Sequence, residues 1–150
     1  MKAITTPAQA EAAIGELAAV LEKLAGVIEQ ETALVRAGKV RNAVALEPAK
    51  TELSARLFSA AARIKENARF LLASAPAACA ALTRLQETFR TVLQRNMRVL
   101  ATAHAVSEGI MRRLSGDLAR KTSPQVYGAS GRAAAPNPKH GKPLALSRTL

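Results

Sequence analysis

A chain of 150 residues with 49% apolar content has material for one domain with a real core. Its only aromatics are Phe58, Phe70, Phe89 and Tyr127, with no Trp. This excludes a broad globular interior and favours close packing of Ala- and Leu-rich helices. Twenty-two Lys and Arg against 11 acids leave a net charge of +11, a field that draws acidic partners, whether protein, nucleic acid or anionic membrane, without choosing among them.

The excess is unevenly placed: residues 1–52 hold six basic and seven acidic side chains, 53–121 hold twelve and four, and 122–150 hold four and none. The segment Met1 to Pro7 lacks the apolar centre of a signal peptide. The longest charge-free run, Phe70 to Thr83, is 14 residues and contains Pro76, short of the roughly 20 apolar residues a bilayer requires. Membrane insertion is therefore not expected, and Cys79, which has no second cysteine to bond, suits a reducing compartment. Together these features indicate a cytoplasmic protein.

In chain order, Thr6-Pro7-Ala8-Gln9 predicts a helix start, with threonine as cap, proline at the first helical position and Gln9 reaching back. The first helix should run over about 7–37. Ile14, Leu17, Leu21, Leu24, Ile28, Glu31 and Val35 step 3, 4, 3, 4, 3, 4, a seam that is apolar except at Glu31. Arg36 complements the carboxyl end of the dipole, and Gly38 suits the left-handed residue beyond it. Lys39 to Ala49 reads as a structured connector with a short turn of helix, because Pro48 forbids a continuous one. The second helix, about 48–73, places Leu53, Leu57, Ala60, Ile64 and Leu71 on one face, with Asn67 in the same stripe. Ser74-Ala75-Pro76 breaks it, and so short a break makes its neighbour antiparallel.

The third helix, 76–121, is the longest element. Leu82, Leu85, Phe89, Val92, Asn96, Val99, Ala103, Val106 and Ile110 alternate spacings of three and four, and Leu114 and Leu118 continue at four. Such spacing keeps one narrow seam toward a partner helix. At 1.5 Å per residue the helix spans on the order of 65 Å, more than its two shorter companions can cover. The expected architecture is all-α: an elongated antiparallel three-helix bundle or coiled coil over 1–121, with a long third helix. A flexible, disordered basic tail over 122–150 should follow, because Thr122-Ser123-Pro124 ends the pattern and no apolar periodicity remains to offset ordering entropy. Tyr127 and the closing Leu144 to Leu150 are its adhesive points.

Catalytic chemistry is not expected. His104 and His140 lie far apart and Cys79 stands alone, so no metal-ligand cluster is visible. Cys79 reads as packing, and His104 with Glu108 reads as a surface pair worth about 0.3 kcal/mol. Gly128 and Gly131 follow a helix and do not make a phosphate cradle, so no cofactor is implied. Glu31 is read as a register-fixing residue near a helix end with access to water. Asn96 has two readings: it fixes register or partner number, or it marks where the seam leaves the bundle to meet a partner. Beyond it, Val99, Val106, Ile110, Leu114 and Leu118 form a stripe with Arg98, Arg112, Arg113 and Arg120 mostly to its sides. If the shorter helices end near the middle of the long one, this stripe is a helix-binding groove or a seam for self-association.

At Tyr127-Gly128-Ala129-Ser130-Gly131-Arg132 the chain resembles the FlgN-type flagellar export chaperones. Further points of likeness are a first helix with a Glu-rich carboxyl half (Glu29, Glu31), a segment with Glu47 and Lys50 before the second helix, a long third helix and a basic carboxyl end. The likeness covers nearly the whole chain in layout, though only the Tyr-Gly-x-x-Gly element is motif-like. It implies a cytoplasmic type III export chaperone that holds amphipathic C-terminal segments of hook-associated (hook-filament junction) proteins, prevents their premature assembly and delivers them to the export gate. The resemblance further implies that Val99, Val106, Ile110, Leu114 and Leu118 bind cargo, and that Tyr127, Gly128 and Gly131 help dock on the gate.

Two other classes compete. A basic helical nucleic-acid binder has charge in its favour, but stacking aromatics are scarce and no helix-turn-helix or basic-zipper layout is present. A structural coiled coil that forms a homo-oligomer when free would use the same stripe on itself.

Overall fold

Local chemistry sets the ends of the helices. Thr6 is extended (φ −125°, ψ 151°), and its hydroxyl oxygen accepts the Gln9 N–H at 3.3 Å. In return Gln9 Oε1 accepts the Thr5 N–H at 3.0 Å. This reciprocal cap satisfies donors that the first turn leaves open and starts α1 (Pro7–Arg36). At the other end the N–H groups of Ala37, Gly38 and Lys39 donate to Ala33, Val35 and Leu34 carbonyls. Gly38 adopts φ +71°, a left-handed conformation that costs a residue without Cβ little.

The structure, a computed structural model, describes residues 4–122. After α1 come α2 (Val40–Val44), α3 (Glu47–Glu66), α4 (Ala68–Ser74) and α5 (Pro76–Thr122). The fold class is the expected one: the described residues form an all-α bundle with a long last helix. The connector at 39–49 contains its short turn of helix as α2. The tail positions 123–150 lie outside the described residues.

The second helix departs from expectation, being two helices and not one over 48–73. Asn67 interrupts it with φ −108° and ψ 13°, and its side chain explains the break. Nδ2 donates to the Arg63 carbonyl at 2.8 Å, while Oδ1 accepts the Ile4 N–H at 3.2 Å. A short amide that bonds nearby backbone competes with the helical ladder. Here it also ties down the segment before α1.

Two units divide the chain, Met1–Ala103 and His104–Leu150. In the first, α1 and α3 are antiparallel. Glu16, early in α1, pairs with Arg63 late in α3 at 3.1 Å, whereas Glu31, late in α1, pairs with Lys50 early in α3 at 2.8 Å. α1 and α5 are parallel: Ile14 shares a hydrophobic cluster with Leu82, and the Ile28 carbonyl accepts from Asn96. The result is an up-down-up three-helix arrangement. Its core is Ala10, Ala13, Ile14, Leu17 and Leu21 of α1, with Leu71, Ala75 and Leu82.

α3 contributes no fully buried residue and packs through half-buried Leu57, Ala60 and Ile64, while Cys79, Leu85 and Phe89 of α5 are each partly buried against the same cluster. In the second unit the described residues are the continuation of α5. From His104 to Lys121 every residue is exposed except Gly109, which is intermediate.

Candidate functional site

Where the seams of α1 and α5 turn polar, the side chains find one another. Asn96 is 4% exposed and Glu31 6%. Asn96 Nδ2 donates to Glu31 Oε2 at 2.9 Å, to Thr32 Oγ1 at 3.1 Å and to the Ile28 carbonyl at 3.4 Å. The other carboxylate oxygen of Glu31 accepts from Lys50 Nζ at 2.8 Å, and Lys50 also reaches Glu47 Oε2 at 2.9 Å. Burial alone would lower the Lys50 pKa. Hydrogen bonds to Glu31 and then Glu47, together with their negative charges, outweigh that burial, so the ammonium titrates above its ordinary range.

Two expectations change here. Glu31 does not sit in water at a helix end; it is buried because α3 supplies a cation and α5 an amide. Glu47 and Lys50 do not precede the second helix but form its first turn, where Glu47 also complements the amino end of the dipole. As to Asn96, its amide is engaged inside the first unit, which fits the register reading. The seam continues past it, with Val99 and Ala103 half-buried.

Beside this polar cluster a groove of about 840 Å³ runs between α1 and α5, walled by Thr32, Ala33 and Arg36 on one side and Thr88, Val92 and Arg95 on the other. A second cavity of about 490 Å³ shares Arg36 and Arg95 and adds Val35, Arg98 and Val99. Val99, expected in the cargo stripe, therefore lines a groove of the first unit opposite Val35.

In the second unit Val106, Ile110, Leu114 and Leu118 are exposed by 57, 54, 53 and 52%. Their spacing of four places them on one ridge, inclined about 26° to the helix axis. Arg112 and Arg113 are exposed there as well. Tyr127, Gly128 and Gly131 lie outside the described residues.

Sequence reasoning passed over Arg36 and Arg95 as a pair, along with exposed Phe58 and Met97. Phe58 is off the Leu53, Leu57, Ala60 face, and Met97 follows Asn96 off the α5 seam, so periodicity alone could have flagged both. That Arg36 and Arg95 line one groove required the register of α1 against α5.

Among the described residues no three His, Cys or carboxylate side chains gather as a metal site, and no helix is long and apolar enough to cross a membrane. His104 Nδ1 and Glu108 Oε1 stand 3.7 Å apart on the surface, an exposed pair of small energetic value. The described surface carries an apolar ridge on the second unit and a groove lined by arginines on the first. No protein-family model matches the chain, and no curated protein or solved structure matches it.

Proposed function

We propose that this chain is a cytoplasmic flagellar type III export chaperone of the FlgN type. It would hold amphipathic C-terminal segments of hook-associated proteins, keep them from assembling early and pass them to the export gate. The observation that carries the reading is the exposed ridge of Val106, Ile110 and Leu114, each more than half open to water. Three or four aliphatic side chains buried by a client helix contribute about 1.5–3 kcal/mol each, before the entropy of association is charged against them. A ridge of residues four apart favours a client helix crossing at about 50° over one lying alongside.

The Tyr127-Gly128-Ala129-Ser130-Gly131 element supports the second half of the reading, docking on the gate, through the family resemblance alone. The test is calorimetry of the full chain with C-terminal peptides of hook-associated proteins. Binding that disappears in Ile110→Asp or Leu114→Asp, with helicity intact, supports the assignment; binding untouched by both changes defeats it. Tyr127→Ala should spare the peptide and impair capture by the gate. A stable oligomer that ignores the peptides would establish the self-associating coiled coil instead.

A further inference from the structure

We propose that the groove between the last turns of α1 and the middle of α5 docks an acidic amphipathic helix from a partner protein. The proposal uses only the first unit and goes beyond the chaperone reading, which uses the ridge at 106–118.

Three guanidiniums carry it. Arg36, Arg95 and Arg98 line two adjoining cavities that share Arg36 and Arg95. Among the described residues none of these guanidiniums is held in an ion pair or a side-chain hydrogen bond, whereas Arg63 is paired with Glu16. The one acid in the lining is Glu29. The carboxyl end of the α1 dipole opposes an anion by about half a charge, and three full positive charges outweigh it.

The walls narrow the choice of ligand. Val35, Val92 and Val99 gain nothing from a bare phosphate, and no aromatic side chain lines either cavity to stack a nucleic-acid base. A ligand that satisfies both walls and charges needs an apolar face edged by carboxylates. Arg95 and Arg98, three apart, present charges on adjacent turns, the spacing at which acids three or four apart on a helix meet them. The α5 lining runs from Thr88 to Ala103, long enough for a helix of about 15 residues. The chain's own carboxyl segment is the wrong occupant, because residues 122–150 hold four basic side chains and no acid.

The test is fluorescence anisotropy with the full-length protein and a labelled peptide of about 15 residues, with Leu and Ala on one face and Glu pairs four apart at its edges. The acidic peptide should bind at least about tenfold more tightly than its Glu→Gln counterpart, and Arg95→Glu with Arg98→Glu should weaken it by about tenfold or more. Arg95→Lys with Arg98→Lys should retain most of the binding, and methyl signals of Val92 and Val99 should shift on titration. Ile110→Asp should leave this binding unchanged while removing hook-associated peptides, so the two proposals fail separately.

Four results would each overturn the docking site. They are equal affinity for the Gln peptide, full binding by the Glu double variant, methyl shifts confined to 106–118, or displacement by single-stranded oligouridine that binds more tightly through the same arginines. Light scattering that traced the peptide signal to a change in self-association would also overturn it.

Discussion

The side-chain amide of Asn96 on α5 donates to the carboxylate of Glu31 on α1 across 2.9 Å, with both residues almost closed to water. Glu31 in turn takes a proton donor from Lys50 on α3, so one contact set joins all three major helices. An apolar 3-4 seam can slide by a heptad at modest cost. A buried amide facing a buried carboxylate cannot do so without stranding both.

Asn96→Ala should therefore lower unfolding free energy by about 1–3 kcal/mol, since it leaves Glu31 Oε2 without a donor. A urea midpoint that falls at constant slope is the measurement. Replacing both partners, Glu31→Leu with Asn96→Leu, should recover that loss while register becomes less unique, read as extra amide resonances. If Asn96→Ala is as stable as the parent, the pair does not hold the helices in register.

Lys50 and Glu47 should differ in effect although they touch. Lys50→Met leaves the Glu31 side chain, 8% exposed, without a counter-charge and should cost about 3 kcal/mol. Glu47→Gln, at a side chain 62% exposed, should cost less than about 1 kcal/mol. Thermal unfolding of the two variants distinguishes them. Because the folded-state pKa of Lys50 is raised, its contribution is fully present below the ordinary lysine value of about 10.4 and is lost as pH rises through the higher folded value. The stability gap between parent and Lys50→Met should hold steady at neutral pH and close only in strong alkali.

Two glycines give opposite signs. Gly26 lies inside α1 with nothing within 4 Å of an added Cβ, so Gly26→Ala should stabilise by about 0.5–1 kcal/mol through helix propensity and a less free unfolded chain. Gly38 has the same open space but φ +71°, and Gly38→Ala should cost about 1 kcal/mol. Melting temperatures that moved the same way would contradict the αL assignment of Gly38.

Ile110→Asp and Leu114→Asp should leave stability within about 0.5 kcal/mol, because both side chains already stand in water. Leu17→Ala, at a residue 2% exposed, should cost about 2–5 kcal/mol. Circular dichroism melts of the three variants test whether the ridge belongs to a binding surface or to the fold.

Much of the architecture was legible in the chain because its causes are local. The cap at Thr6, the stop at Gly38, the break before Pro76 and the 3-4 stepping of Ile14 to Ile28 and of Leu82 to Val92 act within a turn or two of helix. The ridge at Val106, Ile110, Leu114 and Leu118 was legible as a pattern for the same reason. The interruption at Asn67 was not, since an asparagine in a helical stripe either continues the ladder or replaces it, and the Ile4 N–H tips the balance.

Sequence by itself thus determined which faces are greasy, where α1 begins and ends and where α5 begins, and where positive charge accumulates. Tertiary structure decided that Glu31 is buried, that Asn96 faces inward, that Val99 lines a groove and that Arg36 and Arg95 line one groove from opposite helices. Those outcomes depend on which residues stand opposite each other across helices 19 to 68 positions apart in the chain. Periodicity fixes the face of a helix but is blind to its register against a neighbour, and the register is set by the sum of packing and polar pairing over all three helices at once.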